Sequence, residues 1–478
     1  MFAVRVADRA VGLVSTMILA RLLIPSDFGL VAMAMALLGM IELFSTFSFD
    51  LALIQNPNAD RRHYDTAWTF TILFGALTAV VLVVLAIPAG RFFDEPRVEA
   101  VLYLVALGAL VQGFQNIGIV AFRKELDFRK EFILLFIQKL LGAAIALTLA
   151  FTLRNYWALV LGALCSRVAN VALSYSIHPY RPRFSLQGAG DLFAFSRWLL
   201  LNNVIVFGAT RGYDLIIGRA MGAYSLGLYS VAYEISNLPT TELVFPVSRA
   251  VFPGFAKLST DWERLRKTLL SVAALVALIT IPIGAAIAVL AEPLVLLLLG
   301  SQWTDAIPLI RLLAIYGVVR ALNVGFADAY LAMGLYRFLP LINLPHIVVG
   351  WPLVLYLLKA KGMNEAAFGI LCAAAIGLAI NICMALRFLH LRFSDVASCY
   401  WRPLFAALNM VAVQLALSHT WPLSSQMLEL AFQSMILVII GAITYGSTLV
   451  LLWLLAKRPE GAEKLIMDRF FMRKAAAL

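Results

Sequence analysis

The chain has 478 residues, of which 62% are hydrophobic and 14% charged, and its formal net charge is +11. Soluble domains carry roughly 45–50% apolar and about 25% charged residues, so this composition excludes a soluble globular protein and indicates an integral membrane protein. The basic excess is spread over alternate short loops, which argues against a nucleic-acid partner.

Long apolar runs recur from one end of the chain to the other. A membrane-spanning helix needs roughly 20 apolar residues, and lipid tolerates only helices or closed barrels because it cannot pair backbone polar groups. No strand-like alternation supports a barrel. We therefore predict an all-α polytopic membrane protein with about fourteen spans: 2–23, 28–54, 65–88, 98–122, 131–153, 157–178, 196–221, 226–249, 267–291, 306–332, 338–358, 365–390, 402–420 and 428–455.

The loops between these runs alternate in charge. Every second loop is rich in Arg and Lys, as in Arg61-Arg62 and Arg123-Lys124, whereas the intervening loops are poor in them. Cytoplasmic loops carry such an excess, so both termini are predicted to face the cytoplasm.

Two ten-residue stretches resemble each other. Residues 21–30 read RLLIPSDFGL and residues 219–228 read RAMGAYSLGL. In each, an apolar helix ends in Arg, turn-forming residues follow, and Gly-Leu opens the next helix. The repeat predicts two homologous halves, with the Pro- and Gly-containing segment 179–195 as the hinge linker.

Sequence motifs for catalysis or cofactor binding are absent. There is no Gly-x-x-x-x-Gly-Lys-Ser/Thr loop, no His/Cys metal spacing, and the four cysteines stand alone. We expect no cofactor, no metal and no enzymatic activity. A membrane-embedded polymerase or glycosyltransferase is an alternative, but such an enzyme needs a larger extramembrane loop with convergent acids. The pattern favours a transporter.

Charged residues lie within several predicted spans. Each costs at least about 2.5–3.5 kcal/mol in mid-membrane, so such groups face a cavity or each other. The basic candidates for a cationic cavity, which could draw on both halves, are Arg5, Arg9, Lys139, Arg167, Arg211 and Arg320. The acidic candidates for a coupling proton or sodium ion are Asp8, Glu42, Asp214 and Glu234. Guanidinium groups in low dielectric suit a pyrophosphate. The alternative is that these charges form ion pairs that fix helix registry, such as Arg211 with Asp214.

Residues 18–32, and the stretch from Phe195 through Tyr213-Asp214 and 227–233 to Pro253, resemble the bacterial polysaccharide-transport flippases. These belong to the multidrug/oligosaccharidyl-lipid/polysaccharide exporter superfamily. The resemblance implies two pseudo-symmetric six-helix lobes and two extra C-terminal helices. The corresponding bounds are 1–178 for the first lobe, 179–195 for a cytoplasmic linker, 196–390 for the second lobe, 402–455 for the extra helices and 456–478 for a cytoplasmic tail.

The same resemblance implies a function. The substrate would be an undecaprenyl-pyrophosphate-linked oligosaccharide, moved across the bacterial inner membrane by alternating access for exopolysaccharide or lipopolysaccharide synthesis. The implied partners are this lipid-linked glycan, membrane lipids, and a polysaccharide polymerase with its export machinery. Relatives carry more basic residues before the first span, which leaves open whether the N-terminus is complete. The alternative is a cation-coupled multidrug or metabolite exporter of the same fold, whose cavity should be acidic or apolar.

Overall fold

The structure is a computed structural model that describes residues 2–45, 53, 60–125, 127–187, 197–258, 261–335, 338–422, 424 and 426–457. Regular structure within these ranges is entirely helical. The chain divides into two compact units, Met1–Ser230 and Val231–Leu478, and each is described by itself. The two-lobe division drawn from the sequence stays a prediction, and linker residues 188–195 and tail residues 458–478 lie outside the described ranges.

The first unit is built from consecutive helices joined by short turns. They are α1 Phe2–Leu22, α2 Pro25–Ser45, α3 Arg61–Phe93, α4 Arg97–Gly113, a 3-10 turn at Ile117–Ile119, α5 Val120–Lys124, α6 Phe128–Leu153, α7 Trp157–Ile177, α8 Arg197–Thr210 and α9 Gly212–Pro239, whose last turns belong to the second unit.

The second unit continues in the same manner. Its helices are a π-helical turn at Thr240–Val244, α10 Phe245–Lys257, α11 Trp262–Val289, α12 Ala291–Leu294, a π-helical turn at Val295–Leu299, a 3-10 helix at Ser301–Ala306, α13 Ile307–Ala332, α14 Leu339–Pro345, a π-helical turn at His346–Gly350, α15 Trp351–Ala360, α16 Met363–Phe388, α17 Phe393–Thr420 and α18 Met427–Leu455.

The helices present apolar surface that the protein itself does not cover. Val84 on α3 is 67% exposed, and Leu408 on α17 and Ile443 on α18 are 63% and 65% exposed. Large apolar side chains exposed on such long apolar helices are expected to face lipid rather than water. Of the described helices, eleven are long and apolar enough to cross a membrane, and there are twelve if α4 and the segment Ile117–Lys124, bent by 66°, are counted as one span and not as a re-entrant loop. The predicted class, an all-helical multi-pass membrane protein, is confirmed.

The first predicted span and the pair of predicted spans on either side of Gly222 need separate description. Helix α1 corresponds to predicted span 2–23, and Arg5, Asp8 and Arg9 belong to its first half. The apolar run Asn203–Pro239 has 37 residues, about 55 Å at 1.5 Å per residue, whereas a bilayer core is about 30 Å thick. Gly222 interrupts it with a φ of 76°, between the predicted spans 196–221 and 226–249.

Helix α3 begins and ends at recognisable caps. The side chain of Asp60 accepts hydrogen bonds from the backbone N–H groups of Arg62 and His63, which pairs donors that a helix start leaves free. At the other end, Asp94 takes a left-handed conformation with φ 55°. Arg97 donates two hydrogen bonds of 2.8 Å to Glu95 and thereby holds the pKa of that carboxyl below its usual value.

Helices α2 and α9 touch backbone to backbone within the first unit. A β-carbon on Gly29 would overlap the carbonyl oxygen of Ala223, and one on Gly227 would overlap the carbonyl oxygen of Pro25. Each carbonyl belongs to the residue four positions before the other glycine, so the contact is reciprocal. Gly29 and Gly227 are also equivalent positions of the internal repeat. The two copies of the motif therefore pack against each other through their glycines.

The segment after α7 folds back along α3. Tyr180 donates a hydrogen bond of 2.7 Å from its hydroxyl to Asp65, and the backbone N–H of Arg183 donates one of 2.9 Å to the same carboxylate. Burial and the nearby Asp65 raise the pKa of Tyr180, so the phenol keeps the proton that it donates. Asn116 donates to the carbonyl oxygen of Tyr180 at 2.8 Å. The described first half of the predicted hinge linker is therefore fixed to the first unit.

His178 makes the stability of this junction pH-dependent. Burial lowers the pKa of its imidazole, Lys130 and Arg181 act in the same direction, and Glu125 opposes them. The unfolded chain then binds this proton at a higher pH than the folded chain, so stability falls as the pH drops through the ordinary value of 6.5. We expect the melting temperature to fall by roughly 1–2 °C more between about pH 7.5 and about pH 5.5 in the wild type than in His178→Gln.

Thermal melting in detergent at the two pH values measures this difference. His419→Gln, a substitution in α17, is the control and should retain the wild-type pH dependence. A pH dependence that is the same in His178→Gln as in the wild type would contradict the assignment.

Candidate functional site

In the first unit, α2 carries a carboxylate and α7 carries a guanidinium group that interact electrostatically. The charges of Glu42 on α2 and Arg167 on α7 act on each other. The Arg167 stem packs on α4, because a β-carbon on Gly108 would lie 3.1 Å from its Cδ. Arg167 Nη1 is buried and has no hydrogen-bond partner within the described part of the chain. One guanidinium nitrogen therefore remains available to an acceptor.

Three amide side chains near Arg167 are linked in a row by hydrogen bonds. Gln112 on α4 donates to Gln115 at 2.9 Å, and Gln115 donates to Asn170 on α7 at 2.8 Å. Asn170 lies three residues after Arg167, on the same side of α7. The row of amides therefore runs from Asn170, near Arg167, to Gln112, near the C-terminal end of α4.

A cavity of ≈ 260 Å³ lies where α4 ends, between α2, α3 and α4. The helices approach closely there, since a β-carbon on Gly75 would lie 3.0 Å from the Cα of Gly113. Glu42 supplies the charge on the cavity wall and the other polar groups are neutral. The polar lining residues are Glu42, Thr71, Thr78, Gln112, Gln115 and Asn116.

Four other charged candidates of the first unit belong to α6 and α1. Lys139 on α6 packs on α1, with Nζ 3.1 Å from the β-carbon position of Gly12. Arg5, Asp8 and Arg9 lie earlier in α1, and their side chains are outside the described part of the structure.

Arg211 and Asp214 form the ion pair that their spacing allows. Arg211 Nη1 lies 3.5 Å from Asp214 Oδ2, at the junction between α8 and α9. Asp214 is buried, whereas the Arg211 side chain is 61% exposed. Asp214 therefore partly offsets the positive charge of Arg211.

In the second unit, Arg320 on α13 is held by neutral partners. Its Nη1 donates to the Tyr233 hydroxyl at 2.7 Å and to Asn237 Oδ1 at 3.1 Å. Tyr233 and Asn237 are one turn apart on α9, and the guanidinium also lies 6.0 Å from the centre of the Tyr233 ring. Both of these hydrogen bonds go to neutral acceptors, and together they orient the Arg320 guanidinium.

Aromatic rings and irregular helices surround Arg320. Tyr316 packs against Tyr233 with ring centres 5.9 Å apart, and against His346 at 6.1 Å. His346 opens one π-helical turn, and another follows Pro239, two residues after Asn237. Such π-helical turns in otherwise regular helices occur often at functional sites.

Glu234 follows Tyr233 directly on α9 and is exposed. No ion pair involves Glu234 among the residues whose side chains are described. A search of those same residues finds no group of three or more His, Cys, Asp or Glu side chains that could hold a metal.

The sequence analysis did not identify the uncharged residues that surround Arg167 and Arg320. Gln112, Asn170, Tyr233 and Asn237 are uncharged and lie in apolar helices, and Gln115 lies in the bend that follows α4. Amide side chains are nearly as unusual as charges in such surroundings, so they were a usable signal.

Comparison with known proteins gives one family match. The family model described as "Polysaccharide biosynthesis protein" matches residues 18–308, which is more than half of the chain.

Curated relatives agree with this match. The lipopolysaccharide biosynthesis protein WzxC of Escherichia coli (strain K12) is 25% identical over 320 residues, covering 65% of this chain and 64% of WzxC. The succinoglycan biosynthesis transport protein ExoT of Rhizobium meliloti (strain 1021) is 28% identical over 307 residues, covering 63% of this chain and 62% of ExoT. The matched part is thus less than two thirds of the length of either relative.

Solved structures share the fold at low identity. The lipid II flippase MurJ in an inward closed conformation has a TM-score of 0.73 and 12% identity, over 95% of this chain and 99% of that one. An inward-facing multidrug resistance MATE family transporter has a TM-score of 0.64 and 14% identity, over 80% and 94%. At these identities the likeness establishes the fold.

Proposed function

This chain belongs to the polysaccharide biosynthesis protein family, and on that basis we propose that it is a flippase for lipid-linked oligosaccharide repeat units. The family match over residues 18–308 is the observation that carries the proposal. The names of the relatives support it, since WzxC and ExoT are named for lipopolysaccharide and succinoglycan biosynthesis. The protein acts as a transporter and not as a catalyst.

The substrate is an undecaprenyl-pyrophosphate-linked oligosaccharide. Moving the charged pyrophosphate into the membrane interior is energetically unfavourable, so the protein must supply positive charge to compensate for it. Arg167 and Arg320 are the basic groups best suited to this. Each lies in an apolar helix, and guanidinium binds phosphate oxygens through paired hydrogen bonds. Lys139, Arg5 and Arg9 add positive charge, and Arg211 contributes less because Asp214 pairs with it.

Glu42 is the preferred candidate for a coupling ion in this scheme, ahead of Asp8, Asp214 and Glu234. It lies on a cavity wall and within the field of Arg167. When an anionic substrate pairs with Arg167 in place of Glu42, a proton or sodium ion bound at Glu42 would neutralise that carboxylate.

Transport proceeds by alternating access in the inner membrane, with both termini in the cytoplasm and two six-helix lobes as the moving parts. Loop charges and the internal repeat support this arrangement. A polysaccharide polymerase and its export machinery receive the glycan on the outer side. The multidrug exporter alternative is not favoured, because the family match and the relatives named for lipopolysaccharide and succinoglycan biosynthesis support a glycan substrate.

Deletion of the gene in the native host tests the proposal. Loss of the flippase should abolish most export of one surface glycan while its lipid-linked repeat units accumulate on the inner leaflet. Radiolabelled lipid extracts and surface glycan analysis measure the two quantities, and re-expression of the intact chain should reverse both. Unchanged export of every surface glycan would overturn the proposal, as would drug sensitivity as the sole defect.

A further inference from the structure

The cavity of the first unit lies at a sharp bend between two apolar helical segments. Helix α4 ends at Gly113, and the chain bends by 66° before α5. Irregular backbone at membrane depth is tolerated only where it is buried in protein or lines a polar cavity. In transporters, such breaks bring backbone polar groups to a bound ligand. Here Asn116 at the bend lines the cavity directly.

The lining is polar but mostly uncharged. Thr71, Thr78, Gln112 and Gln115 line the same space, with Phe74 beside them. Neutral polar groups in a membrane interior are unfavourable unless they find partners. Hydroxyl and amide groups around an aromatic side chain match the many hydroxyls and the apolar faces of a sugar ring.

The amide chain keeps unused hydrogen-bonding atoms. Gln112 donates to Gln115 and Gln115 donates to Asn170, and these two hydrogen bonds use neither the Gln112 carbonyl oxygen nor the Asn170 NH₂ group. Asn170 lies one turn after Arg167 on α7, so one end of the chain adjoins a cation. The other end opens into the cavity. A ligand with an anionic group next to a neutral, hydroxyl-rich group fits this order.

We propose that this cavity binds the first sugar of the lipid-linked glycan, next to a pyrophosphate held by Arg167. A water molecule needs about 10–15 Å³ of such space, and ≈ 260 Å³ is ample for a single sugar ring. The inference rests on the proposed function and deepens it. Gln112, Gln115 and the two threonines then decide which sugar is accepted.

Binding of two ligands by the purified full-length chain tests the assignment. One ligand is geranyl pyrophosphate, and the other is the same lipid pyrophosphate carrying one hexose. In Gln112→Ala/Gln115→Ala, the sugar-bearing ligand should bind about tenfold more weakly, as expected for one or two lost hydrogen bonds. Geranyl pyrophosphate should keep its wild-type affinity. Thr78→Val should weaken only the sugar-bearing ligand as well.

Asn409→Ala is the matched control, because Asn409 is an amide that bonds Thr448 at 2.8 Å between α17 and α18. It should alter neither affinity. Equal weakening of both ligands in the cavity variants would assign the amides a structural role and overturn the inference, as would no change in either. If the unaltered chain binds neither ligand, the proposed function falls together with the inference. Binding of both ligands without selective weakening removes the sugar site alone.

Discussion

Replacing Arg320 with alanine is expected to lower the rate of glycolipid transport by one to two orders of magnitude. Hydrogen bonds to a charged group contribute about 1.5–3 kcal/mol, which corresponds to roughly 10- to 150-fold in binding. Tyr233 and Asn237 hold the guanidinium in place, and the proposed function assigns its charge to the pyrophosphate. Arg320→Lys should recover part of the rate, because an ammonium keeps the charge but not the paired donors.

Arg311 gives a matched control in the same helix. It precedes Arg320 by nine residues, which puts it on the opposite side of α13, and it lies 3.8 Å from Glu292. Arg311→Ala should transport at close to the wild-type rate. Melting temperatures of all variants separate loss of function from loss of folding. A folded Arg320→Ala protein with wild-type transport would remove Arg320 from the site.

Substituting Gly29 with valine is expected to destabilise the protein by about 3 kcal/mol or more, the upper range for overpacking. The reason is the reciprocal contact of α2 and α9, where a β-carbon on Gly29 overlaps backbone atoms of Ala223. Backbone cannot rotate away as a side chain can, so the helices must separate. Gly227→Val should act in the same way through Pro25. Expression level and thermal melting in detergent measure the effect.

Two other helical glycines provide controls. Gly254 on α10 and Gly446 on α18 have no atom within 4 Å of a β-carbon position. Alanine at either should leave stability unchanged or raise it by up to about 1 kcal/mol, through its better helix propensity. The double variant Gly29→Ala/Gly227→Ala should lose less than the sum of its single variants, because both disturb one contact. Wild-type melting of Gly29→Val would refute the close contact.

Hydropathy predicted most of the helices because each span must bury its own backbone bonds and face lipid. The positions of α3, α6 and α7 follow directly from that rule. The repeat of residues 21–30 and 219–228 identified equivalent positions, yet it did not reveal that Gly29 and Gly227 touch. Such a contact depends on the three-dimensional crossing of two helices, which no local pattern encodes.

The candidate sites were only partly accessible from the sequence. Charge in an apolar run singled out Arg167, Arg320 and Glu42, because charges in lipid are rare. Their partners could not be deduced, since Tyr233 and Asn237 lie more than 80 residues from Arg320 in the chain. The cavity also escaped detection, because it arises where α4 breaks, and the break was read as part of one continuous span.

Reconstitution of the purified chain into sealed liposomes tests the central claim most directly. An undecaprenyl-pyrophosphate-linked oligosaccharide is placed in the bilayer, and its appearance on the opposite leaflet is followed with a membrane-impermeant enzyme or lectin. The account predicts that the intact chain moves this lipid between leaflets and that Arg320→Ala and Arg167→Ala largely fail to do so. Leaflet exchange no faster than in protein-free liposomes, or equally fast with both arginines removed, would contradict it.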